Sequence, residues 1–354
     1  MSLTRFPGFI DAHAHLREPG AEHKEDFATG TRAALKGGFT FVGDMPNNPR
    51  PTVSLERLEE KIALADAKAL CDVGFYYGTD GTNTGTFAMA TMHPRVLGLK
   101  LYCNATTGTL LVESERVIET IVASWETEKP ILVHAEGNQL PLVLELAKHY
   151  KRILHVCHVA RASEVEIIRR EKTKRSGISA GVCPHHLFLT AKDRDTLKGY
   201  AIMQPLLGDK RDQEALWEGL CDHTIDVVET DHAPHTREEK EQDPPPFGVP
   251  GLETAAGLLF CAVVDKRIEE KDVVRLLYEN PKKIFHIPPQ PNTFIELDPE
   301  KPFVVGQHGY ETKCGWSPFE GWELYGKVER VVFKGNAVLE EGRLLNKIPN
   351  PNDQ

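Results

Sequence analysis

Eight short apolar runs are spaced along this chain, and five of them deliver side chains able to bind a metal ion. The first is Phe9-Ile10-Asp11-Ala12-His13-Ala14-His15. Successive side chains of a strand alternate faces, so His13 and His15 point the same way and can grip one ion. A His-x-His pair by itself is a weak signal. It gains weight because later runs carry Lys100, His134, His158 and Asp231 in the same relative place.

The runs cover residues 9–15, 39–45, 73–78, 96–102, 131–134, 153–158, 178–183 and 225–230, and their β-branched and aromatic content predicts strands. Stretches of helical period lie between most of them, at 26–36, 55–70, 113–125, 139–149, 163–173 and 213–220. Strand alternating with helix predicts a parallel sheet. Eight repeats predict its closure into an α/β (β/α)₈ TIM barrel, whose chemistry sits at the C-terminal strand ends. An open doubly wound sheet would scatter these side chains instead of converging them.

The barrel is expected over residues 1–290. Its last part holds a charged stretch at 238–243, a stiff proline-rich loop at 244–251, and helices at 252–264 and 272–285. A β-rich extension packed on the barrel is expected at 291–345, with a hairpin turning at Gly335-Asn336, and a linker or tail at 346–354.

A net charge of −10 without a Lys/Arg block disfavours nucleic acid as a partner. No apolar stretch reaches membrane-spanning length, and the first residues lack the apolar core of a signal peptide. Seven cysteines without a C-x-x-C pair fit a reducing compartment, so a cytoplasmic protein is expected.

Six ligand-type residues on five strands suit a two-metal hydrolase, in which paired divalent ions activate a water and polarise the bond it attacks. His13 and His15 would hold one ion, and His134 and His158 the other. A cationic Lys100 would be a poor neighbour for metal. Carboxylated by CO₂, it becomes an anionic carbamate able to bridge both ions. Asp231 could ligate the first ion and move the proton of the attacking water. Singly, each residue has an ordinary reading as a core histidine or a surface lysine.

The motifs Asp11-Ala12-His13-Ala14-His15-Leu16-Arg17-Glu18-Pro19-Gly20, Met45-Pro46-Asn47, Gly98-Leu99-Lys100-Leu101-Tyr102, Pro184-His185-His186-Leu187-Phe188-Leu189 and Thr230-Asp231-His232-Ala233-Pro234-His235-Thr236 carry a resemblance. From Arg5 to about Val338 the sequence resembles the dihydroorotase branch of the amidohydrolase superfamily, most of all the dihydroorotase domains of CAD-type multifunctional pyrimidine-synthesis proteins. The resemblance implies reversible, zinc-assisted cyclisation of N-carbamoyl-L-aspartate to L-dihydroorotate. Two zinc ions are implied when the site is intact, fewer or none when it is not. It implies Asp231 and Thr106 as catalytic, and Arg17, Asn47, His235 and Gln204 as substrate-binding. The implied partners are carbamoyl-phosphate synthetase and aspartate transcarbamoylase domains of the same chain, together with a second copy in a homodimer.

Three positions depart from the family pattern. Gly181 stands in place of a glutamate near the metal centre, Gln204 in place of an arginine that contacts substrate in the animal enzymes, and Thr107 in place of a phenylalanine of the lid loop at 103–112. Fungal CAD-like proteins resemble this pattern of loss and carry an inactive dihydroorotase-like domain. The expectation is therefore an impaired or inactive domain kept for assembly. An active zinc dihydroorotase is the alternative, and a hydantoinase or allantoinase fits Arg17 and the Asp231–Thr236 motif less well.

Overall fold

The computed structural model describes residues 3–345, so the expected linker at 346–354 lies outside the described residues. After a short strand β1 (Thr4–Pro7), the β-branched and aromatic runs form β2 (Phe9–Ala14), β3 (Phe39–Asp44), β4 (Asp72–Gly78), β5 (Val96–Tyr102), β6 (Ile131–His134), β7 (Leu154–Val156), β8 (Ile178–Val182) and β9 (Val227–Val228). These eight pair in parallel in chain order from β2 to β9. Apart from half-buried Asp72 every residue in them is buried, as a sheet covered on both faces requires. Two of the helices between them start on clear side-chain caps. Asp26 accepts the Thr29 amide at 2.8 Å at the head of Phe27–Lys36, and Ser54 accepts the Arg57 amide at 3.2 Å at the head of Leu55–Lys68.

The seam that closes the barrel is short, because β9 has only two residues. An isolated parallel bridge joins Ala14 to His232, and the His15 amide donates to the His232 carbonyl at 2.8 Å. The Asp11 carboxylate takes the rest of the seam, accepting from the Thr230 amide at 2.9 Å and its hydroxyl at 2.6 Å. The sixth and eighth barrel strands, β7 and β9, are shorter than the expected 153–158 and 225–230. His158 and Asp231 adopt left-handed backbone, with φ of 37° and 45°, and so turn out of the ladder at the barrel mouth. At the opposite end Phe285 plugs the barrel, its ring 6.1 Å from Tyr76 and 5.0 Å from His155.

The helix expected at 272–285 is divided into Glu270–Val274, a π-helical turn at Arg275–Glu279, and Asn280–Ile284. Pro281 has no amide hydrogen to continue an α-helical ladder, and the wider turn accommodates it.

Strands β10 (Phe294–Asp298), β11 (Phe303–Val304), β12 (Glu323–Leu324), β13 (Lys327–Phe333), β14 (Asn336–Glu340) and β15 (Arg343–Leu344) make up the extension. Its main sheet runs β1-β10-β13-β14-β15. The first strand of the chain thus belongs to the extension's sheet, although the expected boundary assigns it to the barrel. Its hairpin turns one residue earlier than expected, at Lys334-Gly335, with φ of 49° and 86°, because Asn336 is already paired with Phe333. Positive φ at both turn residues is what a two-residue hairpin turn demands.

Candidate metal centre

The strand ends bring His13, His15, Lys100, His134, His158 and Asp231 to one mouth of the barrel. His13 lies in β2 with His15 just beyond it, Lys100 lies in β5, and His134 ends β6. His158 and Asp231 sit on the turns that leave β7 and β9. All line one pocket except Lys100, which is fully buried beneath it.

The spacing of these atoms tests whether a metal would fit. Zinc–ligand distances of about 2.0–2.1 Å in a tetrahedron put two ligand atoms roughly 3.3 Å apart. The observed separations are 3.0 Å from His15 Nε2 to Asp231 Oδ1, 3.4 Å from His13 Nε2 to the same oxygen, and 3.1 Å from His134 Nδ1 to His158 Nε2. The residues therefore fall into a His13/His15/Asp231 group and a His134/His158 group, each fitting one ion. His15 Nδ1 donates to Asn47 Oδ1 at 2.8 Å, which leaves its Nε2 lone pair for a metal. Burial pushes the His15 imidazole down to about 4 and lowers those of His134 and His158, which keeps all three neutral as ligands must be.

Lys100 is buried without an anionic partner among the described residues. Its Nζ donates to Cys157 Sγ at 3.1 Å and stands 5.0 Å from the Tyr102 ring centre. An uncompensated ammonium in such a place is costly, whereas a carbamate on this nitrogen would meet the cations the histidines can hold.

On the solvent side, Arg17 does not pair with its neighbour Glu18, which binds Lys68. Its Nε donates to the Pro234 carbonyl at 3.1 Å, and its Nη2 lies 3.2 Å from His235 Nε2. Burial and the charges of Arg17, Lys24 and Lys240 push the His235 imidazole down to about 3. Lys24 donates to its Nδ1 at 3.2 Å, and its Nε2 donates to the Phe247 carbonyl at 3.0 Å. Asn47 lines the pocket, but its amide is engaged by His15 and, through Nδ2, by the Thr107 carbonyl at 2.9 Å. The Gln204 amide donates to Glu136 Oε1 at 2.7 Å, and that carboxylate lies 3.2 Å from His134 Nε2. Thr106 and Thr107 line the rim, where the Thr107 hydroxyl is 3.4 Å from the Phe247 carbonyl. Gly181 lies in β8 and does not line this pocket.

Sequence reasoning gave no role to several residues here. Glu229, Cys157 and His13 have ligand atoms within 4.8 Å of one another and form a further group able to hold a cation. The available signal was Glu229 two residues before Asp231, which is the spacing of two acids on one face of a strand end. A second pair, Asp44 and Lys61, is fully buried, with Lys61 Nζ 2.7 Å from Asp44 Oδ2. Lys61 also donates to the Met45 carbonyl and to Asn48 Oδ1, both at 2.7 Å, and Asp44 accepts the Leu16 amide at 2.8 Å. This pair ties the loops carrying His15 and Asn47 to each other. Lys61→Met strands a buried carboxylate and is expected to lower stability by about 3–5 kcal/mol in urea unfolding. A loss under about 1 kcal/mol would show the pair to be dispensable.

With this geometry in hand, comparison with known proteins gives a family. The Amidohydrolase family model matches residues 4–287. The chain belongs to the amidohydrolase family. Within it, the sequence is 43% identical over 346 residues to the multifunctional protein CAD of Squalus acanthias, covering 97% of this chain and 15% of that one. It is 33% identical to the dihydroorotase of Pyrococcus abyssi, covering 96% of this chain and 85% of the relative. A solved structure described as the inactive dihydroorotase-like domain of the Chaetomium thermophilum CAD-like multifunctional protein superposes with a TM-score of 0.83 at 25% identity, covering 99% and 98% of the two chains. This is thus a dihydroorotase-like amidohydrolase barrel, spanning 15% of the length of the Squalus CAD protein. No described helix is long and apolar enough to cross a membrane.

Proposed function

We propose that this amidohydrolase is an active zinc dihydroorotase, interconverting N-carbamoyl-L-aspartate and L-dihydroorotate. The observation that carries the proposal is the pairing of ligand atoms at 3.0–3.4 Å beneath a pocket rimmed by the Arg17 guanidinium. Zinc, when bound, supplies Lewis acidity for the ring amide carbonyl and for the attacking water. The chain's residues do the rest. His13, His15, His134 and His158 would hold the metal, and a carbamate on Lys100 would add an anionic ligand. Arg17 meets the substrate carboxylate with a charge-assisted hydrogen bond, supported by His235. Asn47 orients His15 and the lid loop at once. Asp231 accepts the proton of the attacking water and returns it to the ring nitrogen as the amide opens, and the same group works in reverse during ring closure.

The expected impairment rested on Gly181, Gln204 and Thr107. Gly181 is not an empty position, since the Glu229 side chain occupies the space in front of it. Near Thr107, Phe247 also lines the pocket and can supply apolar cover. These two observations favour activity. The second reading, an impaired domain kept for assembly, is favoured by the small hydroxyl side chain of Thr107 on the lid. Both readings include a homodimer and neighbouring carbamoyl-phosphate synthetase and aspartate transcarbamoylase domains, and both place the protein in the cytoplasm.

The test is a substrate panel on the zinc-supplied chain: carbamoyl aspartate, dihydroorotate, hydantoin and allantoin. Dihydroorotase turnover of about 1 per second or faster, with weak or no turnover of the uncharged rings, is expected. Absence of any turnover would favour the assembly role, and preference for hydantoin or allantoin would reassign the substrate.

A further inference from the structure

Glu229 is fully buried, and its carboxylate contacts three histidine-bearing segments of the metal centre. Oε1 accepts the His158 backbone amide at 2.6 Å, while Oε2 lies 3.2 Å from His155 Nε2 and 3.6 Å from His13 Nδ1. His155 is itself fixed through Nδ1, 2.9 Å from the Ser179 hydroxyl. The carboxylate therefore sits where β2, β7, β8 and β9 meet. His158 needs such a partner, because its left-handed backbone takes its amide out of the sheet ladder.

The room for this carboxylate comes from Gly181. In the β8–β9 register Gly181 pairs with Val227, so Glu229, two residues further on, projects over it. A Cβ at position 181 would stand 2.5 Å from Glu229 Cδ and 2.5 Å from its Oε1. Glu229 cannot swing aside without giving up the His158 amide and His155. A side chain at 181 and the observed placement of Glu229 therefore exclude each other, as close packing dictates.

We infer that Glu229 is a positioning residue of the metal centre, and that it and Gly181 form a sterically exclusive pair in which the acid is carried by the eighth barrel strand instead of the seventh. The missing glutamate at 181 is then a relocation. The inference rests on the proposed metal centre, and its readouts do not require turnover.

The test is a double-mutant cycle in the full chain, made of the wild type, Gly181→Glu, Glu229→Ala and the combination, with zinc affinity measured by chelator competition and melting temperature by calorimetry. Gly181→Glu alone, which crowds two carboxylates into one space, is expected to lower the melting temperature by about 3 °C or more and to weaken zinc binding. Glu229→Ala alone is expected to weaken zinc by about 10–100-fold, the usual effect of losing a group that orients ligands. The combination moves the acid back to β8 and is expected to recover most of both losses. Losses that simply add, with no recovery, would overturn the exclusive pair. Glu229→Gln keeps the side-chain volume and the acceptor for the His158 amide, so it guards against a folding failure. It should melt near the wild type yet bind zinc more weakly, and unchanged zinc affinity in this variant would overturn the positioning role. A wild type that holds no zinc would sink the proposed metal centre, while the melting temperatures would still decide the steric exchange.

Discussion

Lys100→Ala is expected to lower kcat/KM by more than about 10³-fold, equivalent to roughly 4 kcal/mol of transition-state stabilisation. The two histidine groups are neighbours in the mouth, the His13 and His158 ring centres 5.3 Å apart, and among the described side chains of β5 Lys100 is the one that could carry an anion to both. A carbamate on Lys100 would give each ion a ligand and balancing charge, and the variant would lack both. The fold should respond differently. Lys100 is fully buried, bonded only to Cys157 and stacked near Tyr102, so in metal-free protein Lys100→Met replaces an uncompensated ammonium with a side chain that packs. Metal-free Lys100→Met should melt at or above the metal-free parent, and zinc-supplied Lys100→Met well below the zinc-loaded parent. Calorimetry with and without zinc reads both arms. Equal zinc-induced stabilisation of parent and variant would show that Lys100 is no part of the centre.

Asp231→Asn carries the second large effect. Asn is among the few residues that tolerate left-handed backbone, so it suits the φ of 45° at this position and should leave the fold intact. What it removes is a proton acceptor and, with it, the anionic member of the His13/His15/Asp231 group. The expected outcome is a fall in kcat of about 10²–10⁴-fold. The KM for dihydroorotate should change little, because Arg17 and His235 still meet the carboxylate. A variant with kcat within tenfold of the parent would move the proton-transfer role to another group.

The barrel was legible because parallel strands buried on both faces leave continuous apolar runs, and the gathering of the candidate ligands at one mouth was legible because they recur at equivalent strand ends. Six residues from five separate runs point to a common mouth only if the runs close into a ring, and the Ala14–His232 bridge completes that ring. What stayed hidden depends on register between strands distant in sequence. Gly181 reads as a loss until its pairing with Val227 places Glu229 over it. The link that the Asn47 amide makes between His15 and the Thr107 carbonyl leaves no mark in the sequence either. The Asp44–Lys61 pair joins a strand end to a helix, and no periodicity marks such a partnership. Thr4–Pro7 is too short to declare its sheet, since an edge strand takes its identity from β10, nearly three hundred residues away.

Two metal sites in the barrel mouth should be visible by anomalous diffraction at the zinc edge on crystals of the full chain. Two peaks are expected, one among His13 Nε2, His15 Nε2 and Asp231, the other between His134 Nδ1 and His158 Nε2, with added density on Lys100 Nζ. Peaks confined to other parts of the molecule, or a vacant mouth in zinc-soaked crystals with an unmodified Lys100, would contradict this expectation.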